Sequence, residues 1–264
     1  MKKIYFLLVL LPLFVNGQVV RLGTYIPVDI PMKHEMPKAG VAGGLGMNIA
    51  VQPVARIPIA FELKGNIGRY SDKTLEQTYL FSDGSQTVTD VNYTSNFHKV
   101  LIGTRFSTGN QASAFRVHAT PQIGYGFMNS RIRISDPQDV DDCKPLEKRI
   151  TQRFNGAVYG GEIGLDMQFG KLFGSTSTDR HNRFIFSVNF LRSFNNFEYV
   201  NIRYMQDEPH GVALDGHPIT DEERDINATF VNVSSNNLHE HKIAELYKTP
   251  LSFIGFQIGY VYNF

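Results

Sequence analysis

Charged residues recur along this chain at positions that alternate with apolar neighbours: Arg21, Glu62, Lys64, Lys99, Arg105, Arg116, Glu162 and Asp166, joined by His118. Two kinds of chemistry fit such a set. Gathered in an enclosed space, the groups could pass a proton or an ion; paired with one another, they would fill that space as a polar plug. Burying an ion is costly unless a partner compensates it, and antiparallel strands would bring Arg116 beside Glu162 and Asp166, and Glu62 diagonally towards Lys99. The paired plug is the expected reading, with His118 a hydrogen-bonded interior residue rather than a catalytic base.

Other chemistries find less support. Covalent catalysis needs a nucleophile beside a base; the nearest set is Ser95 with His98, and its acid would have to come from a loop, so no enzyme activity is expected. His210, His217, His239 and His241 share one segment with Asp215 and Asp221. His239-Glu240-His241 lacks the i, i+4 spacing of a helical zinc site, although on a strand the two histidines would share a face. They read as surface histidines, and neither metal nor cofactor is expected. The single Cys143 cannot form an internal disulfide. A net charge of +1 with 19% charged residues offers no polybasic surface for nucleic acid.

The charged positions must be held by strands, because they follow a period of two. Eight candidates emerge. Residues 20–26 set Val20, Leu22 and Ile26 against Arg21; residues 41–51 set Leu45, Met47 and Ile49 against a row of small residues; residues 57–67 set Phe61 and Leu63 against Glu62 and Lys64. Residues 99–106 set Val100 and Ile102 against Lys99 and Arg105. Residues 115–127 set Val117 and Ile123 against Arg116 and His118, with Pro121 a blemish in the ladder. Residues 156–169 set Ile163 and Leu165 against Glu162 and Asp166, residues 184–190 set Phe186 and Val188 against Ser187 and Asn189, and the last strand ends the chain.

The gaps between these strands alternate in length: short at about 52–56, 108–112 and 171–182, long at about 28–38, 70–93, 129–152 and 198–249. Residues 77–93 alternate around Ser82-Asp83-Gly84-Ser85, which predicts a hairpin ribbon. Phe197, Tyr199, Asn201 and Arg203 with Thr229, Val231 and Val233 predict a second ribbon in the last gap, and Ala244 to Tyr247 reads as a short helical turn. At the start, Lys2 and Lys3 precede twelve apolar residues, Ile4 to Val15, then Asn16-Gly17-Gln18, the order of a signal peptide over residues 1–17. That run is short of the roughly 20 residues a membrane helix needs. Gly at 23 residues, 12% aromatics and a mean hydropathy of −0.19 suit alternating strands, whose two faces average out.

The final residues Gln257, Gly259, Tyr262 and Phe264 resemble the C-terminal assembly signal of Gram-negative outer-membrane β-barrels. With sorted short and long connections, and aromatics near both strand ends (Phe106, Phe115, Phe169, Phe184, Tyr262 and Phe264; Tyr125, Phe127, Tyr159 and Phe190), residues 18–264 look like the small eight-stranded barrels of the OmpA, OmpX and OmpW type. They are also similar to porin-like small barrels of Bacteroidota. The resemblance implies an all-β fold, a closed eight-stranded antiparallel transmembrane β-barrel with long extracellular loops, integral in the outer membrane with both termini periplasmic. Its implied partners are outer-membrane lipid, lipopolysaccharide, the barrel-assembly machinery and other outer-membrane or surface proteins. The expected role is a non-enzymatic structural or accessory component of an envelope complex for secretion, uptake or barrel assembly, binding through its extracellular loops. The alternatives are a conduit for small solutes or hydrophobic compounds and a lipid-modifying enzyme.

Overall fold

The computed structural model describes residues 19–32, 40–54, 56–80, 86–109, 113–135, 147–168, 181–202, 223–231 and 238–264, with His34 and Gly170. The signal-peptide segment, Cys143, His210, His217, Phe169 and the Asp83-Gly84 turn lie outside the described residues. Nearly everything described is strand: β1 (Val19–Pro31), β2 (Ala42–Gln52), β3 (Ile59–Leu80), β4 (Gln86–Ser107), β5 (Phe115–Ser135), β6 (Glu147–Gln168), β7 (Asn182–Ile202), β8 (Glu223–Val231) and β9 (Leu238–Asn263).

Neighbouring strands pair antiparallel in chain order from β1 to β7, then β7 to β9, and β1 returns to β9 from Arg21↔Asn263 to Pro31↔Phe253. Eight strands thus close a barrel. The ninth, β8, lies outside the ring and pairs with β9 alone among the described residues. One rim carries the short connections β2–β3, β4–β5 and β6–β7 and both ends of the barrel; it is the turn end. The opposite rim is the hairpin end. At the turn end Gly109, at a φ of 70°, supplies a left-handed conformation that other residues resist.

The alternation places apolar residues outward: Ile67 is 63% exposed and Ile163 66%, with Leu45, Phe61, Ile102, Phe115 and Ile258 alike. Within the belt the charged residues Arg21, Glu62, Lys64, Lys99, Arg105, Arg116, Glu162 and Asp166 point in. Such a belt is far larger than the exposed apolar patches of soluble monomers.

The strands run well past the segments that carry the clearest alternation. The β3–β4 ladder runs to Leu80↔Gln86, as the ribbon reading required, and β5 and β6 meet as far as Ile134↔Glu147. The last segment differs from its reading in two ways. Residues 244–247 belong to β9 rather than to a helical turn, and Thr229 and Val231 lie in β8, which pairs with β9 while β7 takes residues Ala244 to Pro250. The reason is that β1 pairs no higher than Pro31 among the described residues, so the side of β9 that it leaves bare is taken by β8. The ladder between β6 and β7 ends at Val158↔Ser193. Above that level the rim divides into two sheets, β3-β4-β5-β6 and β7-β9-β8.

Candidate functional site in the barrel interior

All nine anticipated interior residues are buried, none more than 4% exposed. They gather in the lumen because the inward positions of five strands, β1, β3, β4, β5 and β6, converge there. Glu162 of β6 accepts from Lys64 of β3 across the barrel at 2.5 Å. Asp166, four residues on, pairs with Arg105 of β4 and lies 3.7 Å from Arg21 of β1. Arg116 stands opposite Asp166 in the β5–β6 register. Glu62 accepts from Asn48 at 2.7 Å and lies 3.7 Å from both Lys64 and Arg105. The diagonal approach of Glu62 to Lys99 is replaced by another pair: Lys99 Nζ donates to Asp29 at 2.6 Å.

His118 bridges the two carboxylates of β6. Arg105 Nη2 lies 2.9 Å from its Nδ1. The ring's Nε2 lies 3.2 Å from Glu162 Oε1, and Nδ1 lies 3.2 Å from Asp166 Oδ1 as well. A methyl group at Gly164 would collide with this ring, so the glycine makes the space that the histidine fills. The network fixes ions in place.

Two members lay outside the sequence reading. Asp29 follows Pro27 in a stretch read as loop, and Arg183 precedes the strand read from Phe184; extending that alternation by one residue would have found it. Arg183 donates to the backbone carbonyls of Ser113 at 3.0 Å and Asp166 at 3.3 Å. The hairpin-end half of the lumen was also unforeseen. There Tyr70, Phe97, Leu101, Met128, Val158, Leu191, Phe197, Leu251 and Phe253 form a buried apolar cluster, with the Phe97 ring centroid 5.6 Å from Phe253 and 6.5 Å from Phe197.

Ser95 and His98 do not form a catalytic pair. Ser95 is fully buried inside, bonded to Tyr93 and Ser130, while His98 is on the opposite face of β4 among the outward positions. Among the described residues no group of three or more His, Cys, Asp or Glu could hold a metal. His239 and His241 both belong to β9, in register with Phe230 and Ala228 of β8. Of the terminal motif, Gln257 and Gly259 face the lumen, Gly259 beside Tyr25, whereas Tyr262 and Phe264 face out with ring centroids 4.8 Å apart.

No protein-family model matches the sequence, and no curated protein matches it. Solved structures do. Ail, the attachment invasion locus protein of Yersinia pestis, is 9% identical with a TM-score of 0.41, covering 95% of this chain and 100% of Ail. The N-terminal β-barrel domain of Pseudomonas aeruginosa OprF is 9% identical, with a TM-score of 0.37 over 94% of this chain and 98% of that domain. A major outer membrane protein from Thermus thermophilus is 10% identical, with a TM-score of 0.43 over 94% of this chain and 100% of that protein. The fold resembles the small outer-membrane β-barrels. Likeness at this level concerns the fold alone.

Proposed function

We propose that this chain is an integral outer-membrane barrel, both termini periplasmic, that acts without enzymatic activity as an accessory component of a larger envelope assembly and binds a partner protein through its hairpin-end sheets. The divided rim carries this reading. A membrane-spanning strand needs roughly 9 to 11 residues, and β3, β4 and β6 have 22 each, so about half of each strand stands beyond the belt. The projecting sheets end in edges, at β3 on one sheet and at β8 on the other, which form no ladder with a further strand among the described residues, although β8 approaches β6. Such edges template pairing with a strand from another chain. In the same reading Gln257, Gly259, Tyr262 and Phe264 serve the barrel-assembly machinery, and the apolar belt meets outer-membrane lipid and lipopolysaccharide.

Gentle detergent extraction, affinity capture and mass spectrometry test the proposal. A partner should co-purify in fixed stoichiometry and be lost when residues 203–237 are replaced by a short turn in a barrel that still inserts. A protein that runs alone sinks the accessory role. The conduit reading is disfavoured by the apolar cluster across the lumen: planar-bilayer recordings should show no open channel. Lipid modification lost its nearest catalytic pair when Ser95 and His98 fell on opposite faces; lipid A altered in a deletion strain would revive it.

A further inference from the structure

The outward face of the barrel turns from apolar to polar along one line across β3 to β6. The register row Ile67↔His98↔Phe127 is followed, one step towards the hairpin end, by Arg69↔Asn96↔Asn129↔Arg153. Tyr125 marks the same line: its ring lies 5.0 Å from that of Phe127, and its hydroxyl donates to Asn155 Oδ1 at 3.0 Å. An aromatic ring with its body in an apolar belt and its hydroxyl on the polar side is at home at a membrane interface. Beyond the line, β5 and β6 carry three exposed cations on this face, Arg153, Arg131 and Lys148. Arg153 stands opposite Asn129, Arg131 is two residues on, and Lys148 stands opposite Arg133, two residues farther. Successive residues on one face of a strand are about 7 Å apart, so the three cations span roughly 14 Å. Of the carboxylates on this face, Asp72 is bonded to Arg69 on β3 and Asp90 stands opposite Ser135, beyond all three cations.

We propose that this strip holds the phosphates of a phosphorylated glycolipid, lipid A in class, whose acyl chains lie on the belt below. The inference rests on the reading of the hairpin end as the outer side of an outer-membrane barrel. Guanidinium forks match phosphate oxygens two at a time. The strip also begins only two residues past Phe127, itself exposed at the top of the belt. One lipid can therefore touch both surfaces, whereas a soluble polyanion would meet the cations alone.

Native mass spectrometry of the full chain, folded in amine-oxide micelles, tests this with bisphosphorylated lipid A and with lipid A stripped of both phosphates. The phosphorylated lipid should be retained more tightly, by about tenfold or more. Arg131→Gln, Lys148→Gln and Arg153→Gln should each weaken its retention about fivefold, near what one cation contributes at an anionic lipid surface, and together about hundredfold. Arg56→Gln, an exposed cation in the β2–β3 connection at the opposite rim, should leave it unchanged. Equal retention of the two lipids, an equal loss in Arg56→Gln, or a folded triple variant that binds as the parent does would overturn the proposal. So would inositol hexakisphosphate binding as tightly as lipid A, which would make the occupant a soluble polyanion. Orientation is read separately: in a Cys143→Ser background, Thr74→Cys on the exposed face of β3 should react with an impermeant maleimide on intact cells. No labelling removes the orientation on which the inference rests; labelling without a preference for the phosphorylated lipid removes the inference alone.

Discussion

The two halves of the lumen solve the same problem in opposite ways. At the turn end, ions from several strands fill the space; towards the hairpin end, aromatic and aliphatic side chains fill it, and the single ion pair at that level, Lys99 with Asp29, packs its ammonium over the Phe97 ring. Both lie behind the same apolar exterior. The contrast shows that the outer face is constrained by its surroundings along the whole belt, while the inner face is constrained only to be full and, where polar, to be paired.

The comparison can be broken from either side. Removing one ion should cost most: Asp166→Ala strips Arg105 and Arg21 of a carboxylate, a loss of about 3 to 5 kcal/mol, read as a barrel that no longer resists unfolding in detergent without heating. Phe97→Ala empties the centre of the apolar half; about 3 kcal/mol is expected from the cavity, measured by denaturant titration, and with Leu101→Ala added, planar-bilayer recordings should show leak currents absent from the parent. Gly164→Ala drives a methyl into the His118 ring and should cost about 1 to 3 kcal/mol, relieved when His118 is also replaced by Ala. The smallest effect sharpens the contrast. Arg69→Ala removes an ion pair with Asp72 that is 2.5 Å long yet more than half exposed on both sides, and stability should change by less than about 1 kcal/mol.

The charged half was legible in the sequence and the apolar half was not, for one physical reason. Period two is visible only where the two faces of a strand differ in polarity. Arg116 and His118 between Val117 and Ala119 announce themselves; Leu101 between Val100 and Ile102, or Phe253 beside Ile254, dissolves into a continuous apolar run. Strand ends were lost differently. Pro27 and Pro31 both lie on the inward side of β1, and prolines read as the end of a strand, which hid Asp29 and with it the partner of Lys99. The ribbon reading of residues 77–93 anticipated the long β3 and β4, whereas the length of β5 and β6 was hidden because their projecting halves are polar enough to pass for a loop.

The seam between β1 and β9 unites Arg21 with Asn263 and Pro31 with Phe253, residues that leave the ribosome at opposite ends of synthesis. A nascent or truncated product therefore carries an orphaned first strand until the very last one is made. When the strands are added in chain order, the ring can close only once β9 meets β1, so that seam is the last ladder of the ring to form.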